Sequence, residues 1–106
     1  MTKHALKIDE QWFDAVAAGT KNFEVRKNDR DFKVGDTLLI EEWDSTVVDK
    51  GEGYESQFGP KGYTGRKAVA TITFILRAEE FPIAINEGYA VLGIKVLETR
   101  GFLSKD

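Results

Sequence analysis

Apolar and polar positions alternate at the start of the chain. His4, Leu6 and Ile8 fall on one side, and Lys3, Ala5 and Lys7 on the other. A period of two predicts a short strand over residues 3–8 with one buried face. The period then changes. Trp12, Phe13, Val16 and Ala17 fall at helical spacing, which predicts a helix over residues 10–18 packed on a sheet. Asp9 is placed to cap it, Glu10 to favour its dipole, and Gly19 to stop it. Alternation returns at 22–26, with Phe23 and Val25 expected to anchor in the core and Glu24 and Arg26 to leave the opposite face together.

Residues 27–33 are polar and read as a structured loop. Val34-Gly35-Asp36 is a turn signal leading into an apolar strand over 37–43. Residues 44–63 are rich in glycine and lack periodicity, so a long hairpin loop or flap is expected there. Residues 66–77 form the longest alternating run and predict a central strand. Ala68, Ala70, Ile72, Phe74 and Leu76 are expected on one face, and Val69, Thr71, Thr73 and Ile75 on the other. A second loop holding Pro82 separates this from a strand over 89–98, whose Ala90, Leu92, Ile94 and Val96 face one way. The tail from Thr99 is expected to dock loosely.

The order is strand, helix and four strands. It predicts an α+β domain with one N-terminal helix and a curled, mostly antiparallel sheet of about five strands. Closure into a small β-barrel would hide most sheet edges.

Composition narrows the function classes more than it changes the fold. A chain of 106 residues suits one domain, residues 1–106, and 42% hydrophobic residues suffice for a core. Fifteen Lys and Arg against eighteen Asp and Glu give a formal charge of −3. That argues against coating extended duplex DNA, although a few local cations can still hold a small nucleic-acid ligand. With no Cys and a single His, disulfides, thiolate metal sites and His-rich metal sites are excluded. No cofactor is implied. Neither a signal-like leader nor a membrane-length apolar run occurs, so a soluble cytoplasmic protein with no membrane partner is expected.

The densest chemistry lies in residues 19–36. Lys21 is placed between helix and strand. Glu24 and Arg26, two apart, share a strand face. Lysine supplies a point charge or a base, arginine a fork that suits phosphate or a base edge, and glutamate an acceptor for amino groups. Asn28 and Arg30 belong to the following polar turn, where Arg30 either reaches the cleft or pairs with Asp29 or Asp31. His4 is either a satisfied histidine at a strand end or a cleft donor. Trp43 ends a strand beside the long loop, where it can stack on a base. Arg66 can contact phosphate or belong to a packed turn with Tyr63. Trp12 and Phe13 are expected in the core.

Gly19-x-Lys21-x-x-Glu24-x-Arg26, followed by Val34-Gly35-Asp36 and an apolar strand, resembles the signature of ASCH domains, members of the PUA-like superfamily. Four stretches bring the chain closer to a small ASCH-related bacterial and phage family of unassigned function. They are His4-Ala5-Leu6-Lys7-Ile8, the run from Phe23 to Phe32, and Tyr63-Thr64-Gly65-Arg66 together with Gly88 to Ile94. The resemblance implies a PUA-like β-barrel with a flanking helix and a cleft lined by the Gly-x-Lys-x-x-Glu-x-Arg segment. It also implies a ligand that is RNA or nucleotide-like.

Some ASCH relatives are amidohydrolases acting on acylated cytidine, and their catalytic lysine matches Lys21. Their partner three residues on is Thr, where this chain has Glu24. The leading expectation is therefore a binding module for RNA, a nucleotide or a nucleoside. Lys21, Arg26 and Arg30 would meet phosphate or base oxygens, Glu24 would accept from amino groups, and Trp43 or a loop aromatic would stack. The alternatives are a metal-independent amidohydrolase using Lys21 and Glu24, and a protein-interaction or regulatory domain.

Overall fold

The computed structural model of the chain describes residues 1–44 and 62–101. The first alternating run forms β1 (Lys3–Asp9), with His4, Leu6 and Ile8 buried. Helix α1 (Glu10–Ala18) follows directly and buries Phe13 and Val16. Gly19 ends it in the left-handed region at φ 83°, a conformation glycine adopts without steric cost, and its N–H donates to Val16 O at 3.0 Å. The remaining strands are β2 (Phe23–Lys27), β3 (Thr37–Trp43), β4 (Tyr63–Arg77) and β5 (Tyr89–Arg100). A single 3₁₀ turn over Ala78–Glu80 follows β4.

The strands make one five-stranded sheet in the order β1-β3-β4-β5-β2. β1 runs parallel to β3, and every other pairing is antiparallel. The sheet curls around a core of Leu6, Ile8, Leu38, Ile40, Ala70, Ile72, Leu92 and Ile94, and Phe13 and Val16 of α1 plug one side. β4 is central, as its long alternating run predicts. The fold is α+β, a curled half-barrel with a flanking helix.

No backbone ladder joins β1 to β2, so the barrel expected from the sequence is open at that seam. Side chains bridge it instead. Arg26 Nη2 donates to Lys7 O at 2.6 Å and Arg30 Nη1 to Ala5 O at 2.7 Å. These contacts satisfy carbonyls on the β1 edge that would otherwise lack a partner.

Four local expectations are corrected. In β2, Glu24 is buried at 5% exposure while Phe23 and Val25 are 44% and 54% exposed. Register decides this. Glu24 lies opposite buried Leu92 and Arg26 opposite buried Ala90, so the even positions face inward. In β4, an irregularity between Ile72 and Phe74 opposite Gly93 reverses the alternation. Ile75 then turns inward, and Phe74 is 61% exposed instead of sharing the core face with Ala68. Trp12 is half-exposed rather than core. Finally, Thr99 and Arg100 belong to β5 rather than to a loose tail. Most of the loop expected over 44–63 lies outside the described residues. Its two ends meet where Asp44 N–H donates to Gly62 O at 2.7 Å.

Candidate functional site

Lys21 is positioned by the end of α1. Its own N–H donates to Ala15 O at 3.0 Å, and Thr20 Oγ1 donates to the same carbonyl at 3.1 Å. From there Lys21 Nζ reaches Glu24 Oε1 at 2.7 Å and Phe23 O at 2.8 Å. Phe23 is on the outer edge strand, and its carbonyl faces the seam. This follows from the bonds Asn28 N–H to Gly88 O and Ile94 N–H to Asn22 O, which direct the even residues of β2 toward β5. Lys21 therefore caps a free edge carbonyl and pairs with a buried carboxylate at once.

The second oxygen of Glu24 is less well served. Arg26 Nε lies 3.4 Å from Glu24 Oε2, and that Nε is buried without a hydrogen-bond partner. A buried donor thus stands beside a carboxylate oxygen that accepts no hydrogen bond, each with unused capacity. They line a groove of about 280 Å³ walled by Lys7, Asp9, Trp12, Lys21, Phe23 and Val25. Lys21, Glu24 and Arg26 are brought together here.

The other residues singled out from the sequence are elsewhere. Arg30 spans the seam to β1, one alternation from the Arg26 contact. Asn28 lines a different cavity of about 640 Å³ with Glu79, Pro82, Ile85 and Glu87. Trp43 lies on the outer face of β3, with Lys7 Nζ 4.1 Å from its ring centroid. Because Lys7 also lines the groove, Trp43 adjoins it through that one side chain.

His4 is engaged structurally. Its Nε2 shares a 2.9 Å hydrogen bond with Asp36 Oδ2, and its ring packs edge-on against Phe32 at 4.7 Å. Asp36 also accepts from Thr2 N–H and Lys33 N–H, which closes one end of the half-barrel. The hydrogen bond from His4 and the two backbone donors hold the Asp36 carboxyl below its ordinary range, against the opposing effect of burial.

Arg66 belongs to a centre that sequence reading missed. Its Nε and Nη2 donate to Glu42 Oε1 and Oε2 at 2.9 and 2.7 Å, a bidentate pair. Thr64 Oγ1 adds a third bond to Oε1 at 2.6 Å. Asp14 of α1 lies 3.1 Å from Arg66 Nη2, and the guanidinium sits 5.0 Å from the ring centroid of Phe13. Burial pushes the Glu42 carboxyl up, but the bonds from Arg66 and Thr64 outweigh it and leave the group below its ordinary value. One sequence signal pointed here: Glu42 continues the inward series Leu38, Ile40 in β3. A carboxylate on an apolar strand face implies a partner.

Among the described residues no helix is long and apolar enough to cross a membrane. A family model described as "Domain of unknown function (DUF3850)" matches residues 3–94. The chain is also 37% identical over 70 residues, 66% of its length, to the "Uncharacterized 12.9 kDa protein in GpA 3'region" of Escherichia phage P2. The match spans about half, 50%, of that relative's length. The family match runs from the start of β1 through the groove residues and well into β5, so it takes in both edges of the seam. The chain belongs to the DUF3850 family.

Proposed function

We propose that the groove at the β1/β2 seam binds a nucleoside or nucleotide, free or as an exposed base of RNA, on an ASCH-type PUA-like scaffold. The observation that carries this reading is the adjacent pair with spare capacity. Glu24 Oε2 accepts where a base presents an amino group, and Arg26 Nε donates where a base presents a carbonyl or ring nitrogen. A volume of about 280 Å³ suits one nucleoside better than a folded RNA. The half-exposed ring of Trp12 gives the groove a flat apolar wall. The Gly19-x-Lys21-x-x-Glu24-x-Arg26 signature supports the same assignment by resemblance.

Binding is the favoured reading over amide hydrolysis. Lys21 Nζ donates to two oxygens at 2.8 Å or less, an arrangement suited to orienting Glu24 rather than to attacking a carbonyl. Titration calorimetry with cytidine and cytidine monophosphate tests the proposal, with Glu24→Gln and Lys21→Ala as controls. Glu24→Gln weakens binding about tenfold or more, because it puts an amide donor where the ligand also donates. Absence of binding at low salt, or binding indifferent to both variants, overturns it. Release of acid from an acylated cytidine in the same samples would favour the hydrolase.

A further inference from the structure

The reversed facing of β2 and the irregularity in β4 have a joint result on the outside of the sheet. Phe23, Gly93 and Phe74 lie in one cross-strand row on β2, β5 and β4. Val25, Val91 and Leu76 form the next row. Both phenylalanines are well exposed. The strands carrying them are two spacings apart, about 10 Å, and the residue between them has no side chain. A Cβ at Gly93 would meet Thr73 Oγ1 at 3.0 Å and Phe74 Cβ at 3.3 Å, so glycine here leaves room for the Thr73 hydroxyl and the Phe74 side chain over the strand. The result is a shallow slot between two aromatic rings, floored by the Thr73 hydroxyl.

The charge on this face indicates what fills it. Lys27 extends the Phe23 and Val25 series on β2, and Lys95 lies just beyond Gly93 on β5. Both are exposed, and among the described residues neither has a carboxylate partner. On β5 and β3 the outward carboxylates are already engaged, Glu98 by Arg100 at 2.9 Å and Glu41 by Lys67 at 3.6 Å. Lys21 Nζ, itself paired with Glu24, lies 4.9 Å from the Phe23 ring centroid. On a chain of formal charge −3, this face therefore offers unpaired cations beside exposed aromatic rings. A protein partner would need only the apolar rows. A polyanion with flat rings uses both features.

We propose that the Phe23–Gly93–Phe74 slot on the outer sheet face stacks an unpaired base of a single-stranded nucleic acid, with Lys27 and Lys95 meeting the flanking phosphates. This surface is distinct from the seam groove, and its role does not depend on what the groove binds. Phe23 touches both, so Phe74 is the residue that separates them.

The test is fluorescence anisotropy of labelled oligothymidylate and oligouridylate dodecamers over a series of salt concentrations, using the full chain. Phe74→Ala and Phe74→Leu each weaken binding about tenfold, the leucine variant because it keeps apolar bulk but lacks a π face. Lys27→Gln and Lys95→Gln each lower the slope of log affinity against log salt by about 0.7. Thymine and uracil present no amino group for Glu24 to accept, so Glu24→Gln leaves binding of these dodecamers unchanged, and Phe74→Leu leaves nucleoside binding by calorimetry unchanged. Comparing thymidylate with uridylate shows whether the slot reads DNA or RNA, and binding of either supports it. No binding of either dodecamer at low salt overturns the proposal, as does binding indifferent to Phe74→Leu. A wild-type dimer in sedimentation velocity that Phe74→Ala converts to monomer also overturns it, in favour of a protein contact.

Discussion

Two buried carboxylates stand on inward positions of this sheet, and they are finished differently. Glu42 on β3 receives two bonds from Arg66 and one from Thr64, and the guanidinium is further held by Asp14. Glu24 on β2 receives one good bond, from Lys21, and a 3.4 Å approach from an Arg26 nitrogen that bonds nothing. Both are about equally buried, at 5% exposure. Charge and burial alone would therefore rank them alike. Saturation separates them: the filled pair ties α1 to the sheet, whereas the unfilled pair opens on a groove at the seam. A buried ionic centre with both carboxylate oxygens bonded is architecture, and one with adjacent unused capacity is a candidate site.

Removing one partner from each centre puts the largest strain on this comparison. Arg66→Met leaves Glu42 buried without its cation and costs about 3 kcal/mol. For a domain of this size that lowers the thermal midpoint by about 15 °C. Glu24→Gln costs only about 1 kcal/mol, since an amide oxygen still accepts from Lys21. Thermal melts of the two variants side by side decide it, and equal losses would erase the distinction.

Acid provides a smaller and graded probe. Glu42 and Asp36 both titrate below their ordinary values of 4.5 and 3.8 when folded. Their stabilisation is complete above those values and is lost as pH falls through the depressed folded ones. Glu10 works the opposite way. Its carboxyl is raised by desolvation and by Asp44 and Glu42, so its protonation on acidification relieves a cost. Urea midpoints measured from about pH 5 down to about pH 2 should fall for the wild type and fall less steeply for Glu42→Gln. Parallel curves would mean that Glu42 does not couple folding to protons.

The smallest expected effect concerns the strand that carries Glu24. If β2 faces as described, Val25→Thr changes stability by no more than about 0.5 kcal/mol, because the side chain is on the surface. Val16→Ala in α1, fully buried, should cost about 2 kcal/mol. A large loss at Val25 would restore the core-anchoring reading of β2 and return Glu24 to solvent.

Element identity was legible because it rests on local period and local stops. The helix bounds, the turn at Gly19, and the inward sets Leu6/Ile8 and Ala90/Leu92/Ile94 follow from residues within one turn or one strand of each other. So does the convergence of Lys21, Glu24 and Arg26, which needs only a helix end feeding a strand. Facing in β2 was not legible. A five-residue strand with apolar and charged residues alternating has two possible phases, and β5 chooses between them through register. The Phe74 reversal depends on one extra residue in β4 relative to β5, which no periodicity announces.

The role of each charge also needed the tertiary structure. Arg66, read as a phosphate contact or part of a packed turn, meets a glutamate 24 residues away in sequence. His4, read as a strand-end residue or a cleft donor, meets Asp36. Arg26 and Arg30, read as ligand contacts, reach carbonyls of β1. By itself the sequence determined which segments fold into which elements, where the charges concentrate, and that Lys21, Glu24 and Arg26 lie close along the chain. Only the tertiary structure decided which charges are satisfied. Local propensity acts over a few bonds, but a charge is neutralised by whatever the closed sheet brings within about 4 Å, and that partner can come from anywhere in the chain.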